Sequence, residues 1–136
     1  MLRYSGTSST ANFVWGQGDF VSGVANQNLS AITSATLSQP TGLAVDGGGG
    51  LYVADNGNNR VLYFAAGQAS GAAVANRVYG QAGGFTTGTA NLGGIGANTL
   101  NSPSALVLDT SNNLYVADTG QSFKQHSSCK RRRLVV

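Results

Sequence analysis

The chain contains no glutamate, two lysines, one histidine, one cysteine and two prolines among its 136 residues. Without Glu, and with Lys confined to two positions, it lacks the usual composition of solvent-exposed helices, which argues against an all-α fold. A single cysteine, Cys129, rules out an intrachain disulfide and offers no zinc-site spacing. No apolar run approaches the ~18 residues that a membrane-spanning helix needs. The opening residues, Met1-Leu2-Arg3-Tyr4-Ser5-Gly6, hold no apolar core of the kind found in secretory signals. What is abundant is glycine, at 20 residues, in a chain of which only 10% is charged. The length suits one ordinary domain.

A formal charge of +3 suggests an acidic partner until the charges are located. Residues 1–120 hold three basic side chains (Arg3, Arg60, Arg77) and all five acids (Asp19, Asp46, Asp55, Asp109, Asp118), a net of −2. Residues 121–136 hold Lys124, Lys130, Arg131, Arg132 and Arg133 with no acid, a net of +5. The body is mildly acidic. The basic character belongs to the last sixteen residues.

Internal repetition organises that body. Leu37-Ser-Gln-Pro40-Thr-Gly-Leu-Ala-Val-Asp46, followed by four glycines and Leu51-Tyr-Val-Ala-Asp55-Asn-Gly57, aligns with the stretch from Leu100 to Gly120 at an offset of 63, with 10 of 21 positions identical. Phe13-Val-Trp15-Gly-Gln17 matches Arg77-Val-Tyr79-Gly-Gln81 at offset 64, and Asn28-Leu29 matches Asn91-Leu92 at offset 63. Met1-Leu-Arg-Tyr4 answers Val61-Leu-Tyr-Phe64 at offset 60. Each unit divides into four short strands. Leu43–Val45 and Leu51–Ala54 form a hairpin, repeated at Leu106–Leu108 and Leu114–Ala117. Arg60–Phe64 follows a tight Asn/Gly turn, and Arg77–Tyr79 comes fourth. Residues 17–36 and 81–99 have no sustained period and are expected to be long Gly/Ser/Asn-rich connections. Four strands per unit predicts propeller blades, an all-β fold.

The order Pro40-x-Gly-Leu-Ala-Val-Asp46, Leu51-Tyr-Val-Ala-Asp55, Gly57-Asn-Asn-Arg60-Val-Leu resembles the NHL repeat, the unit of six-bladed NHL β-propellers. Pro40–Phe64 carries the whole pattern, and Pro103–Gly120 carries its first two-thirds. The expected architecture is a partial β-propeller over residues 1–120, about two blades' worth of antiparallel sheet. A strand pair lies near 1–16, a full blade near 40–80 and a half blade near 103–118. A six-bladed ring implied by the resemblance would need ~380 residues at this repeat length, so the chain is expected to be a fragment. Its open edges then call for missing blades or self-association. Residues 121–136 form a basic, non-repeat tail. Where Gly57 is followed by Asn-Asn-Arg-Val, Gly120 is followed by Gln-Ser-Phe-Lys. Loss of two bases from codons for Asn-Asn-Arg gives Gln-Ser, so the tail is expected to be out of frame and disordered.

The repeated positions Pro40, Pro103, Asp46, Asp109, Asp55, Asp118 and Arg60 are expected to be structural, since a catalytic group is needed once and these recur. Each Asp can accept hydrogen bonds from turn N–H groups, and Asp55 can pair with Arg60 through two parallel bonds. Pro40 and Pro103 precede the innermost strand, where a missing N–H is tolerated. Asp46–Gly50 and Asp55–Asn59 lack the alternating acids of a calcium loop, and Gly16-Gln-Gly18 lacks the Lys and helix start of a phosphate loop. His126 and Cys129 are too few for zinc, and Lys130–Arg133 has no adjoining aromatic platform for nucleic acid. Trp15 and Tyr79 are expected to pack between blades. No catalytic, cofactor or metal residue is assigned.

The leading functional expectation is a non-catalytic propeller scaffold holding a protein or small ligand on one face. The resemblance also implies two alternatives. Some related propellers are lyases or hydrolases with His ligands around a metal, but residues 1–120 contain no His, so such groups would lie in missing blades. Some animal NHL domains bind RNA through a basic face, which the acidic body argues against. The composition also resembles secreted or cell-surface bacterial repeat proteins.

Overall fold

The computed structural model describes residues 1–29 and 31–120; the basic tail and its His126, Cys129 and Lys130–Arg133 lie outside them. Among the described residues eight strands follow in order: β1 (Leu2–Tyr4), β2 (Ala11–Val14), β3 (Pro40–Val45), β4 (Leu51–Asp55), β5 (Arg60–Phe64), β6 (Arg77–Tyr79), β7 (Pro103–Leu108) and β8 (Leu114–Asp118). They form three antiparallel sheets of two, four and two strands, β1-β2, β3-β4-β5-β6 and β7-β8. The chain is therefore all-β, one four-stranded blade between two half blades. The strand sequences are those that fit a pleated, buried surface, rich in Val, Leu, Tyr and Phe, and the polar Gly and Asn clusters fall between them.

Strand alternation explains how the sheets stack. From β4 and β5, Leu51, Val53, Leu62 and Phe64 enter one core with Phe13 and Leu37, and Trp15 packs against it. The Phe13 and Trp15 rings lie 4.1 Å apart. From the same two strands, Tyr52, Ala54 and Val61 point the other way and meet Leu106, with Tyr79, Leu100, Leu108 and Val116 around them. The middle sheet is thus buried on both faces, and every residue of β4 is buried. Burying an aliphatic side chain contributes about 1.5–3 kcal/mol, so these two cores hold the three sheets together. Trp15 and Tyr79, equivalent in sequence, occupy equivalent places, one in each core.

The first strands of the full blade and the last half blade approach closely at Gly42. A Cβ there would lie 2.9 Å from the Ser104 carbonyl oxygen, so no side chain fits without separating β3 from β7. Pro40 and Pro103 begin β3 and β7 and pair with Asp55 and Asp118, the last residues of β4 and β8. The Pro103 carbonyl accepts hydrogen bonds from Thr41 and Asn56 at 3.1 Å, tying consecutive sheets.

A second glycine position is conformational as well as steric. Gly16 and Gly80 follow the fourth strands with φ of +79° and +93°, and a Cβ would come within 2.6 Å of Leu37 and Leu100 respectively. Gly80→Ala therefore combines a left-handed backbone with overpacking. A loss of about 2–4 kcal/mol is expected, read as a lower urea midpoint at unchanged m-value. A loss below about 0.5 kcal/mol would mean that the turn is not held in this conformation.

The connections are more ordered than their composition predicts. Residues 25–28 form a short 3-10 turn in which Asn26 and Gln27 have positive φ. The backbone N–H of Asn26 donates to the Leu37 carbonyl, and that of Asn91 donates to the Leu100 carbonyl. Asn26, not Asn28, is thus the structural counterpart of Asn91. The repeat preserves a left-handed Asn that closes the connection onto the residue before the next blade, and the spacing around it varies. Thr36 and Thr99 extend the equivalence. The Thr36 hydroxyl accepts from the Thr33 N–H, as that of Thr99 does from the Gly96 N–H, both at 2.9 Å.

Candidate functional site

The face built from the two long connections and the β4–β5 turn is organised by one buried ion pair. Asp55 closes β4 and Arg60 opens β5, and the strand register places them opposite each other. Both side chains are fully buried, with Arg60 Nε 2.7 Å from Asp55 Oδ2. The pairing uses one hydrogen bond, not the two parallel bonds that the spacing allows. The rest of the guanidinium turns to backbone carbonyls. Nη1 donates to Phe85 at 2.6 Å, and Nη2 donates to Thr33 and Thr36, both at 2.9 Å. Four of its five N–H groups are committed. Thr33 and Thr36 belong to the connection before this blade and Phe85 to the connection after it, so Arg60 fastens both.

Asp55 also departs from a simple turn role. Its Oδ1 accepts the Ser38 N–H at 2.6 Å, and its Oδ2 accepts from Asn58 Nδ2 as well as from Arg60. The carboxylate reaches back seventeen residues to fix the entry to β3. Burial pushes its pKa up, against Arg60, Ser38 and Asn58, which pull it down. Asp118 repeats the first contact, accepting the Asn101 N–H at 2.7 Å. Asp46 and Asp109 do shape turns. Asp46 Oδ1 accepts from the Gly48 and Gly50 N–H groups, and Asp109 Oδ1 from those of Ser111 and Asn113. The Gly50 N–H foremost holds Asp46 below the usual carboxylate range, and the Asn113 side chain does so for Asp109.

The turn between the pair supplies further fasteners. Asn58 and Asn26 exchange side-chain hydrogen bonds at 3.1 and 2.8 Å. Asn59 donates to the Gly88 carbonyl at 2.8 Å and accepts the Ser102 N–H at 2.9 Å. Gln81, buried, donates to the carbonyls of Asn59 and Thr89. Asn58, Asn59 and Gln81 were not singled out from sequence as site residues. Their signal was present in the Asn-Asn-Arg and Gly-Gln strings, but their partners are backbone groups, which carry no residue signature.

Leu37 to Phe64, which span β3 to β5 and include the whole Asp55–Arg60 turn, match the sequence model of the NHL repeat family. The chain carries an NHL repeat. No curated protein matches the sequence. Within the matched stretch, Asp55 and Arg60 form a carboxylate–guanidinium post to which the connections on either side of the blade are tied.

The same connections present apolar side chains to solvent. Phe20, Val21, Val24, Leu29 and Ile95 are exposed, Val21 and Ile95 most of all. Among the described residues no group of three or more His, Cys, Asp or Glu is placed to hold a metal ion. No helix there is long and apolar enough to cross a membrane.

Proposed function

We propose that the NHL-repeat body is a non-catalytic binding scaffold whose connection face holds a protein segment. The observation that supports this reading is the contrast on that face. Arg60, Asn58, Asn59 and Gln81 fasten the connections at Asn26, Thr33, Thr36, Phe85, Gly88 and Thr89, while Val21 and Ile95 of the same two connections stand uncovered. A rigid display of apolar tips lowers the ordering cost of association, and backbone amides around them can orient an extended peptide. The carboxylates of Asp46 and Asp109 are engaged in turns and that of Asp55 in the entry to β3, roles that leave them poorly suited to acid–base chemistry. A net charge of −2 over residues 1–120 disfavours RNA as the partner.

The test is selection of peptides from a random display library on the full chain, followed by titration of the recovered peptides. The double variant Val21→Asp/Ile95→Asp is expected to weaken them at least tenfold with an unchanged circular dichroism melt. Failure to recover binders, or binders indifferent to the substitution, would overturn the proposal.

A further inference from the structure

Asn56-Gly57 is the one Asn-Gly pair in the chain. Asn is a chemically labile residue, and a following glycine has no side chain to hinder attack by its own backbone nitrogen. In such a pair the Gly57 nitrogen bonds to Asn56 Cγ while the Cγ–Nδ2 bond breaks. Ammonia leaves with the proton of the attacking nitrogen, and a cyclic imide remains. Water opens the ring on either side to give aspartate or isoaspartate, so the sum is amide plus water going to carboxylate plus ammonium. We propose that Asn56 is a site of this self-modification, held latent by the folded turn and released when the turn opens.

The turn engages both reacting groups. Asn56–Asn58 form a short 3-10 turn between β4 and β5, and ring closure needs the Gly57 nitrogen to swing out of it toward Cγ. The Gly57 N–H donates to the Ser38 carbonyl at 2.9 Å, and Asn56 Nδ2 donates to the Pro103 carbonyl at 3.1 Å. Depth does not protect the pair, since Gly57 is exposed and Asn56 half-buried. Water and base reach it, and the step that limits the reaction is local opening of the turn.

The second copy of the repeat separates what this turn requires from what it tolerates. Gly57 is required, because a Cβ there would lie 2.5 Å from Ser38 Oγ and 2.9 Å from the Ser38 carbonyl oxygen. Its counterpart Gly120 is crowded by Asn101 in the same way and donates its N–H to the Asn101 carbonyl at 2.7 Å. The residue before the glycine differs. Thr119 stands where Asn56 does, and its hydroxyl donates to the Ser102 carbonyl at 2.8 Å. A Thr side chain cannot form the imide, so this place accepts an inert residue and Asn56 brings the reactivity. The products undo what Asn56 holds. An aspartate at 56 offers only acceptor oxygens to the Pro103 carbonyl, itself an acceptor. Isoaspartate also adds a methylene to the main chain between Asp55 and Arg60, whose opposed register sets the buried ion pair.

The experiment uses the full 136-residue chain and the variant Asn56→Thr, a substitution taken from the second copy. Both are kept at mildly alkaline pH, in buffer and in urea above the unfolding midpoint, and position 56 is followed by peptide mapping with mass spectrometry. Deamidation of Asn56 should be slower in the folded chain than in urea by about tenfold or more, because only opened turns react. This comparison is read on the parent chain alone and does not depend on the variant. After urea is removed, chains carrying aspartate or isoaspartate at 56 should refold with a lower urea midpoint. Asn56→Thr taken through the same treatment should return to the midpoint of its untreated sample. Equal rates in buffer and in urea would overturn the latency. Modified chains that regain the parent midpoint, or treated Asn56→Thr that loses its own, would overturn the role given to Asn56.

Discussion

Arg60→Ala is expected to remove about 3–5 kcal/mol of stability, the usual consequence of deleting one partner of a buried ion pair. Domains of this size hold only about 5–15 kcal/mol, so the variant should be largely unfolded by mild urea. The cost has a particular origin. Loss of the guanidinium leaves the Asp55 carboxylate buried beside Ser38 and Asn58, and it strands the carbonyls of Thr36 and Phe85, while that of Thr33 keeps its bonds from Thr36. An isolated buried pair can often be exchanged for apolar residues with little loss. Here Asp55→Leu/Arg60→Met should not recover stability, because the Thr36 and Phe85 carbonyls and the Ser38 N–H still lack partners. Each orphaned polar group costs about 1–3 kcal/mol. Arg60→Lys should also remain destabilised, since an ammonium on a flexible stem cannot reach a carboxylate and three carbonyls in one plane. Chemical denaturation of the three variants decides the matter. Recovery by the apolar double variant would show that the pair stands alone and that the connections are held by something else.

The outcome bears on how much of this molecule is legible in its sequence. Strand positions are, because Leu-Tyr-Val-Ala and Arg-Val-Leu-Tyr-Phe have the composition of buried strands and are bounded by Gly, Asn and Asp. The nearness of Asp55 and Arg60 is also legible, since five residues across a tight turn bring them opposite. The use of the Arg60 fork is not. Its carbonyl acceptors lie 24 to 27 residues away in the chain, and a carbonyl is the same whatever residue bears it. The same limit hid the partner of Asp55 on the Ser38 N–H. Within the connections, Asn28 aligned with Asn91 by spacing, whereas Asn26 shares its backbone contact. Spacing fails there because the conserved quantity is a left-handed turn, and residues can be added on either side of it without disturbing that contact.

Tyr52 and Tyr115 carry this argument to its sharpest test, because they are the same residue in the same five-residue string. Tyr52 is 5% exposed and Tyr115 is 59% exposed. The Tyr52 ring lies 4.6 Å from that of Tyr63 and 6.3 Å from that of Tyr79, inside the core shared with Leu106. Tyr115 stands on the outer face of β8, where no following sheet is present among the described residues, and its hydroxyl reaches Asp109 at 3.3 Å. Tyr52→Ala is expected to cost about 3–5 kcal/mol, as large-to-small changes of buried aromatics do. In the isolated chain Tyr115→Ala should stay within about 0.5 kcal/mol of the parent. Urea melts of both variants at low protein concentration provide the comparison. Equal costs at low concentration would mean that the local string, and not the neighbouring sheet, sets the energetic role of the tyrosine.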